Sequence, residues 1–255
     1  MTALLVGPVG PRSERFRREH AACPTARPAG ALAHPWFPIS TCGDGCIGAP
    51  RAGRFDAVTG ATIVAWRLCR LVVVVVWIFW AALTTGAVAR LRRRPPRPLR
   101  RSASGALLAA LGIAVRVEDR RCGPTRAGLV VANHISFLDV LALALISPAD
   151  VVAKSDVVGM PVVSSLARRF GVIAVDRGTL RGLPGTVGDV AGRLHCDSSV
   201  IVFPEGTTYC GRSAGAFRPA FFQAAIDADV PVVPVRLRFV GSDGTTATAP
   251  SFIGA

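Results

Sequence analysis

Lysine is nearly missing from this chain of 255 residues: of its 30 basic residues only Lys154 is a lysine, so a formal charge of +14 rests almost wholly on arginine. Aromatic residues are scarce, at 7%. No RNA-binding aromatic pattern, zinc-finger spacing or basic recognition helix accompanies the charge, so nucleic acid is not an expected partner. The charge instead suits anionic surfaces such as phospholipid headgroups, or phosphorylated substrates. Cysteines number seven, at positions 23, 42, 46, 69, 122, 196 and 210. An odd, scattered set implies no disulfide framework. Cys42 and Cys46, with His34 upstream, form part of a possible metal site or redox pair, but fall short of four closely spaced ligands and are expected to be incidental thiols. A secretory signal is not expected either, because Met1 to Gly10 has no basic start and its short apolar run is broken by Gly and Pro.

The residues that are present divide the chain in three. Residues 1–60, rich in Pro, Gly, Ala and Arg without a sustained period, read as an irregular N-terminal extension. Residues 61–101 read as a membrane-associated helix followed by a polybasic linker. Within them Leu71 to Ala89 is uncharged and strongly apolar, and its 19 residues suit a span or an in-plane helix. Arg90, Arg92, Arg93, Arg94, Arg97, Arg100 and Arg101 come next, interrupted by Pro95, Pro96 and Pro98. Such a cluster binds anionic lipid at ~1 kcal/mol per charge, and the positive-inside rule puts it, with the residues beyond Arg101, on the cytoplasmic face of the cell membrane.

Residues 102–255 alternate between apolar strand-like runs, at 113–117, 128–132, 151–153, 172–175, 200–203 and 230–237, and segments long enough for helices. That alternation predicts an α/β domain with a mostly parallel sheet flanked by helices. Several of these runs end in polar clusters. The run through Ala132 ends in Asn133-His134-Ile135-Ser136-Phe137-Leu138-Asp139. On one regular helix His134 and Asp139 would point about 140° apart. They meet if His134 sits in the turn before a helix and Asp139 in its first turns, with Asn133 or Ser136 capping exposed N–H groups. Asp139 then fixes the imidazole tautomer and leaves the other ring nitrogen as a general base. No nucleophile elbow is expected, so the proton comes from a substrate hydroxyl. The run through Val202 ends in Phe203-Pro204-Glu205-Gly206-Thr207-Thr208, where Glu205, Thr207 and Thr208 can hydrogen-bond glycerol-type hydroxyls or phosphate oxygens and Gly206 allows close approach. The run through Val175 ends in Asp176-Arg177, and Arg177 suits bidentate phosphate recognition.

The blocks Asn133-His134-x4-Asp139, Gly171-x-Ile173-x-Val175-Asp176-Arg177, Phe203-Pro204-Glu205-Gly206-Thr207 and Val230-Pro231-Val232-Val233-Pro234-Val235 resemble, in order and spacing, the four motifs of the glycerolipid acyltransferases, the group containing 1-acylglycerol-3-phosphate O-acyltransferase (lysophosphatidic acid acyltransferase). The resemblance runs from Asn133 to Val235 and does not cover residues 1–100. It implies transfer of a fatty acyl group from acyl-CoA or acyl-carrier protein to the free hydroxyl of a membrane lysophospholipid, without metal or other cofactor, 1-acylglycerol-3-phosphate giving phosphatidate. It makes His134 the base, Asp139 its orienter, Arg177 a phosphate ligand, Glu205, Gly206 and Thr207 part of the acceptor site, and Lys154 a second phosphate contact. Two departures open alternatives. Thr208 stands where many members carry Arg, which leaves the phosphate contact to Arg212 or Arg218 and keeps glycerol-3-phosphate, a lyso-aminolipid or a glycolipid as other acceptors. The chain stops 20 residues after Val235, sooner than the family's domain usually ends, so a domain truncated at its C-terminus, or a catalytically inactive lipid-binding protein, is a further expectation.

Overall fold

The computed structural model describes residues 2–7, 40–42, 46, 57–88, 97–119, 127–147, 149–155, 171–176, 180–241 and 244–248. Its elements are β1 (Thr2–Gly7), α1 (Ala57–Val88), α2 (Arg97–Ala110), β2 (Ile113–Val117), β3 (Leu129–Ala132), α3 (Leu138–Ile146), β4 (Asp150–Lys154), β5 (Val172–Val175), α4 (Leu183–His195), β6 (Val200–Val202), α5 (Ala220–Asp227) and β7 (Val232–Val240). The strands form one sheet in the order β2-β1-β7-β3-β6-β4-β5. Every pairing is parallel except β1 with β7. This is the expected mostly parallel α/β sheet flanked by helices.

Parallel strands buried on both faces need apolar side chains at every position, and β3 and β6 have them. The two-residue period of a strand sorts those side chains between two layers. Val130, Ala132 and Ile201 face a core built with Leu108 of α2 and Leu138, Ala142 and Leu143 of α3. Leu129, Val131, Val200 and Val202 face the opposite core, with Val190, Ala191 and Leu194 of α4 and Ala224 and Ala225 of α5. Because β3, β6, β4 and β5 run parallel as neighbours, their carboxyl ends, and the polar clusters attached to them, lie along one edge of the sheet.

Three sequence expectations change. Residues 1–60 do not form a wholly irregular extension, because Thr2–Gly7 is a strand that pairs with Ile113–Val117 on one side and Arg236–Val240 on the other. Its apolar run is too short to show a period, and the two strand edges it fills supply the ordering. The apolar helix starts earlier than Leu71. A 23-residue window from Thr59 to Ala81 is long and apolar enough to cross a membrane, is not buried by the rest of the protein, and takes in Arg67 and Arg70. Trp66, Leu68, Val72, Val73, Phe79 and Trp80 are all exposed on it, an apolar surface of the kind water does not favour.

The polybasic linker also does more than carry charge. Its second half forms the start of α2, with Pro98 in the first turn where a missing N–H costs nothing. Arg100 turns inward, nearly buried, and donates from Nη2 to the Ala149 carbonyl at 2.6 Å, tying α2 to the entry of β4. Arg90 to Arg94 lie outside the described residues. Removing a donor from a buried carbonyl costs about 1–3 kcal/mol. Arg100→Ala is therefore expected to lower the thermal midpoint of the detergent-purified chain by several degrees, whereas Arg101→Ala, at an exposed site, leaves it within about 1 °C.

Candidate active site

The end of β3 is clamped before the site begins. Asn133 does not cap a helix, as its place in the sequence suggests. Its side chain donates to the Leu237 carbonyl at 3.1 Å and accepts from the Leu237 N–H at 2.8 Å, prolonging the β3–β7 pairing by one rung. The backbone then turns, and α3 starts after Phe137, whose side chain makes no capping bond. The role expected of Asn133 or Ser136 belongs chiefly to Asp139. Its Oδ2 accepts from the N–H groups of Ile135 at 2.6 Å and Ser136 at 2.8 Å. Ser136 Oγ adds only an acceptance from the Leu138 N–H at 3.4 Å.

The same Oδ2 lies 2.9 Å from His134 Nδ1, so the histidine before the helix and the carboxylate in its first turn meet as the spacing requires. Asp139 is 0% exposed and His134 19%, which leaves the far edge of the imidazole open while its near edge is held. Nε2 has no hydrogen-bond partner among the described residues. The ring plane is set by Phe203, stacked on it with centroids 4.1 Å apart and planes 20° from parallel. Phe203 is a site residue that the sequence disguises as the last residue of a buried strand; its place immediately before Pro204-Glu205 is the available signal.

Glu205 arrives from the end of β6. Its Oε2 accepts from the His134 N–H at 2.6 Å and its Oε1 from the Gly215 N–H at 3.0 Å. With 3% exposure, it braces the β3 and β6 loops against each other instead of reaching outward to acceptor hydroxyls, because the protein's own backbone occupies both oxygens. Gly206 beside it takes φ 74°, a conformation that favours glycine. Gly215 is equally constrained, since a Cβ there would lie 2.5 Å from the Tyr209 hydroxyl. Thr207 and Thr208 are buried in the same loop. Tyr209 donates its N–H to the His134 carbonyl at 2.9 Å, and Arg218 donates its N–H to the Pro204 carbonyl at 3.0 Å.

Lys154 reaches the same sheet edge from β4, opposite Val175 of β5. Since β6 lies between β4 and β3, it stands two strand spacings, about 10 Å, from the His134 strand. Asp176 comes directly after β5 in an exposed position, and Arg177 lies outside the described residues. One string of nucleophile-elbow spacing does occur, Gly211-Arg212-Ser213-Ala214-Gly215, contrary to expectation. It has neither the preceding strand nor the succeeding helix of an elbow. Ser213 Oγ is buried without a hydrogen-bond partner among the described residues, so none of them acts as its base.

Burial pushes the Glu205 carboxyl up from an ordinary 4.5 to about 7, against the lowering by the His134 and Gly215 N–H groups, and the nearby Asp139 charge adds to the rise. A folded-state value above the unfolded one means that the native protein binds the extra proton. The stabilisation is complete below pH 4.5 and is lost as pH rises through about 7. Thermal midpoints measured across this window are expected to fall with pH in the wild type and to fall less in Glu205→Gln, which cannot ionise. Parallel curves would contradict the assignment.

With this geometry in place, comparison with known proteins is direct. A family model described as Acyltransferase matches residues 114–238. The 1-acyl-sn-glycerol-3-phosphate acyltransferase of Neisseria gonorrhoeae is 31% identical over 190 residues, covering 73% of this chain and 72% of that protein. The lyso-ornithine lipid O-acyltransferase of Pseudomonas aeruginosa is 33% identical over 171 residues, covering 64% and 65%. Among solved structures, the 1-acyl-sn-glycerophosphate acyltransferase of Thermotoga maritima aligns with a TM-score of 0.43 at 19% identity, over 70% of this chain and 88% of that one. The extent of the Neisseria match, together with the family model, shows that this chain is an acyltransferase and belongs to the glycerolipid acyltransferase family.

Proposed function

We propose that the protein moves a fatty acyl group from an acyl thioester, acyl-CoA or acyl-carrier protein, to the free hydroxyl of a lysophospholipid, with 1-acylglycerol-3-phosphate as the first acceptor and phosphatidate as product. The observation that carries this reading is the 2.9 Å contact between His134 Nδ1 and the buried Asp139 carboxylate. Asp139 accepts from Nδ1–H, so Nε2 presents a lone pair at the open edge of the ring. Nε2 removes the acceptor hydroxyl proton as the oxygen attacks the thioester carbonyl. The tetrahedral intermediate collapses with cleavage of the C–S bond, and the imidazolium returns the proton to the leaving thiolate. Phe203 keeps the ring from swinging. Lys154 at the shared sheet edge, with Arg177 after β5, is assigned to the acceptor phosphate. The exposed apolar α1 is assigned to the membrane, and the arginines after it to its cytoplasmic face.

A second acceptor is favoured by one observation, the 33% identity to the Pseudomonas lyso-ornithine lipid enzyme. Thr208, buried where many members of the family carry Arg, lacks that phosphate-binding charge and supports the same reading.

Purified enzyme with acyl-CoA is expected to release free thiol only when a lysolipid is added. Identification of the product by mass spectrometry, across lysophosphatidate, lyso-ornithine lipid and glycerol-3-phosphate, decides the acceptor. Thiol release without any acceptor would mean hydrolysis instead. His134→Ala is expected to lower the rate by about 10²–10⁴ or more, and Asp139→Asn by a similar order, with the melting transition retained.

A further inference from the structure

The loop that braces the active site carries a second cluster on its other side. Cys210 comes after Tyr209, whose N–H is bonded to the His134 carbonyl. Its sulfur meets those of Cys42 and Cys46, from the segment between β1 and α1. All three residues are buried, and their sulfurs lie within 4.8 Å of one another. The Cys210 N–H donates to Cys42 Sγ at 3.4 Å and the Cys42 N–H to Ser40 Oγ at 3.2 Å. Tyr209 packs against the group as part of its apolar wall. Of the pair singled out in the sequence, the missing partner is therefore Cys210, 164 positions after Cys46 and invisible to any spacing rule.

We propose that Cys42, Cys46 and Cys210 are three of the four ligands of a tetrahedral zinc site that pins the N-terminal segment to the active-site loop. In a tetrahedral site with Zn–S bonds of about 2.3 Å the sulfurs are about 3.8 Å apart, so these three need to close by about 1 Å at most. Thiolate donors select zinc over harder divalent ions. A backbone N–H on a ligand sulfur and a closed apolar wall are the surroundings that orient such ligands and exclude water.

Cys42 and Cys210 are thiols in this structure, whereas Cys46 is held in a disulfide. A disulfide accounts for one sulfur of the cluster and leaves two buried thiols facing it. In the zinc-binding form a dithiol reductant delivers two electrons and two protons to that disulfide and is itself oxidised to a cyclic disulfide. Cys42, Cys46 and Cys210 then each release a proton as their sulfurs bond to the metal. The metal takes no part in acyl transfer in this proposal; its effect is to hold Tyr209, and through it the His134 carbonyl, in place.

The test uses the full chain in detergent, purified with a dithiol reductant and analysed for metal by mass spectrometry. About one zinc per chain is expected. Replacing it with cobalt should give the intense ligand-field and charge-transfer bands of tetrahedral thiolate coordination. Cys42→Ser and Cys210→Ser should each reduce the zinc content severalfold, while Cys69→Ser and Cys196→Ser, at exposed free cysteines, leave it unchanged. Zinc should also slow amide exchange at Tyr209, a readout independent of turnover. Since the metal content and cobalt spectrum of the reduced wild type do not depend on any variant folding, a folded, reduced chain that takes up neither zinc nor cobalt overturns the proposal. So does zinc retained at the wild-type level by both Cys42→Ser and Cys210→Ser, or iron or copper bound in its place.

Discussion

A carboxylate with no surface in water is costly unless donors surround it, and Asp139 meets that requirement with a single oxygen. Oδ2 collects the His134 ring nitrogen and the N–H groups of Ile135 and Ser136, while Oδ1 is buried with no partner among the described residues. All the compensation is thus concentrated where it holds the imidazole. The arrangement depends on the turn between β3 and α3 presenting two backbone N–H groups inward. That turn is in turn held from three sides: Asn133 on the Leu237 backbone, Glu205 on the His134 N–H and Tyr209 on the His134 carbonyl.

The sheet supplies the reason these groups can converge. β3 has β6 on one side and β7 on the other, both parallel to it, so the chain leaving β6 is one strand spacing from His134. Phe203 and Glu205 lie just past that strand end and act on the ring and on its backbone respectively. The two buried acids divide the work. Asp139 bears on the histidine side chain, and Glu205, with a raised proton affinity, joins the His134 turn to the loop at Gly215. The apolar α1 lies against α2, with the Arg67 guanidinium beside Gly112 in the turn after α2, so the membrane-suited helix is attached to the same helical layer that covers β3.

Much of this is legible in the sequence because strands and motifs announce themselves locally. The β5 boundaries come from an uninterrupted apolar run and those of β2 from a run broken only by Arg116, and His134 with Asp139 can be paired from their spacing together with the turn chemistry between them. The misread features are long-range. Asn133 looks like a cap because its partner, Leu237, is far away in the chain. Glu205 looks like a ligand contact because nothing nearby shows that the backbone of His134 and Gly215 uses both oxygens. β1 escapes notice because a run of six residues is ordered by the edges it fills, and Arg100 counts as lipid-facing charge because its acceptor, the Ala149 carbonyl, carries no side-chain signal.

The central claim is that the buried Asp139 carboxylate holds His134 with its proton on Nδ1 and its lone pair on Nε2. Nitrogen-15 NMR of the histidine-labelled chain, assigned by difference from His134→Ala, reports that tautomer directly. For the neutral ring, the account predicts a protonated Nδ1 and a lone-pair-bearing Nε2 for His134, with the pattern scrambled in Asp139→Asn. A protonated Nε2 with the lone pair on Nδ1 in the wild type would contradict it.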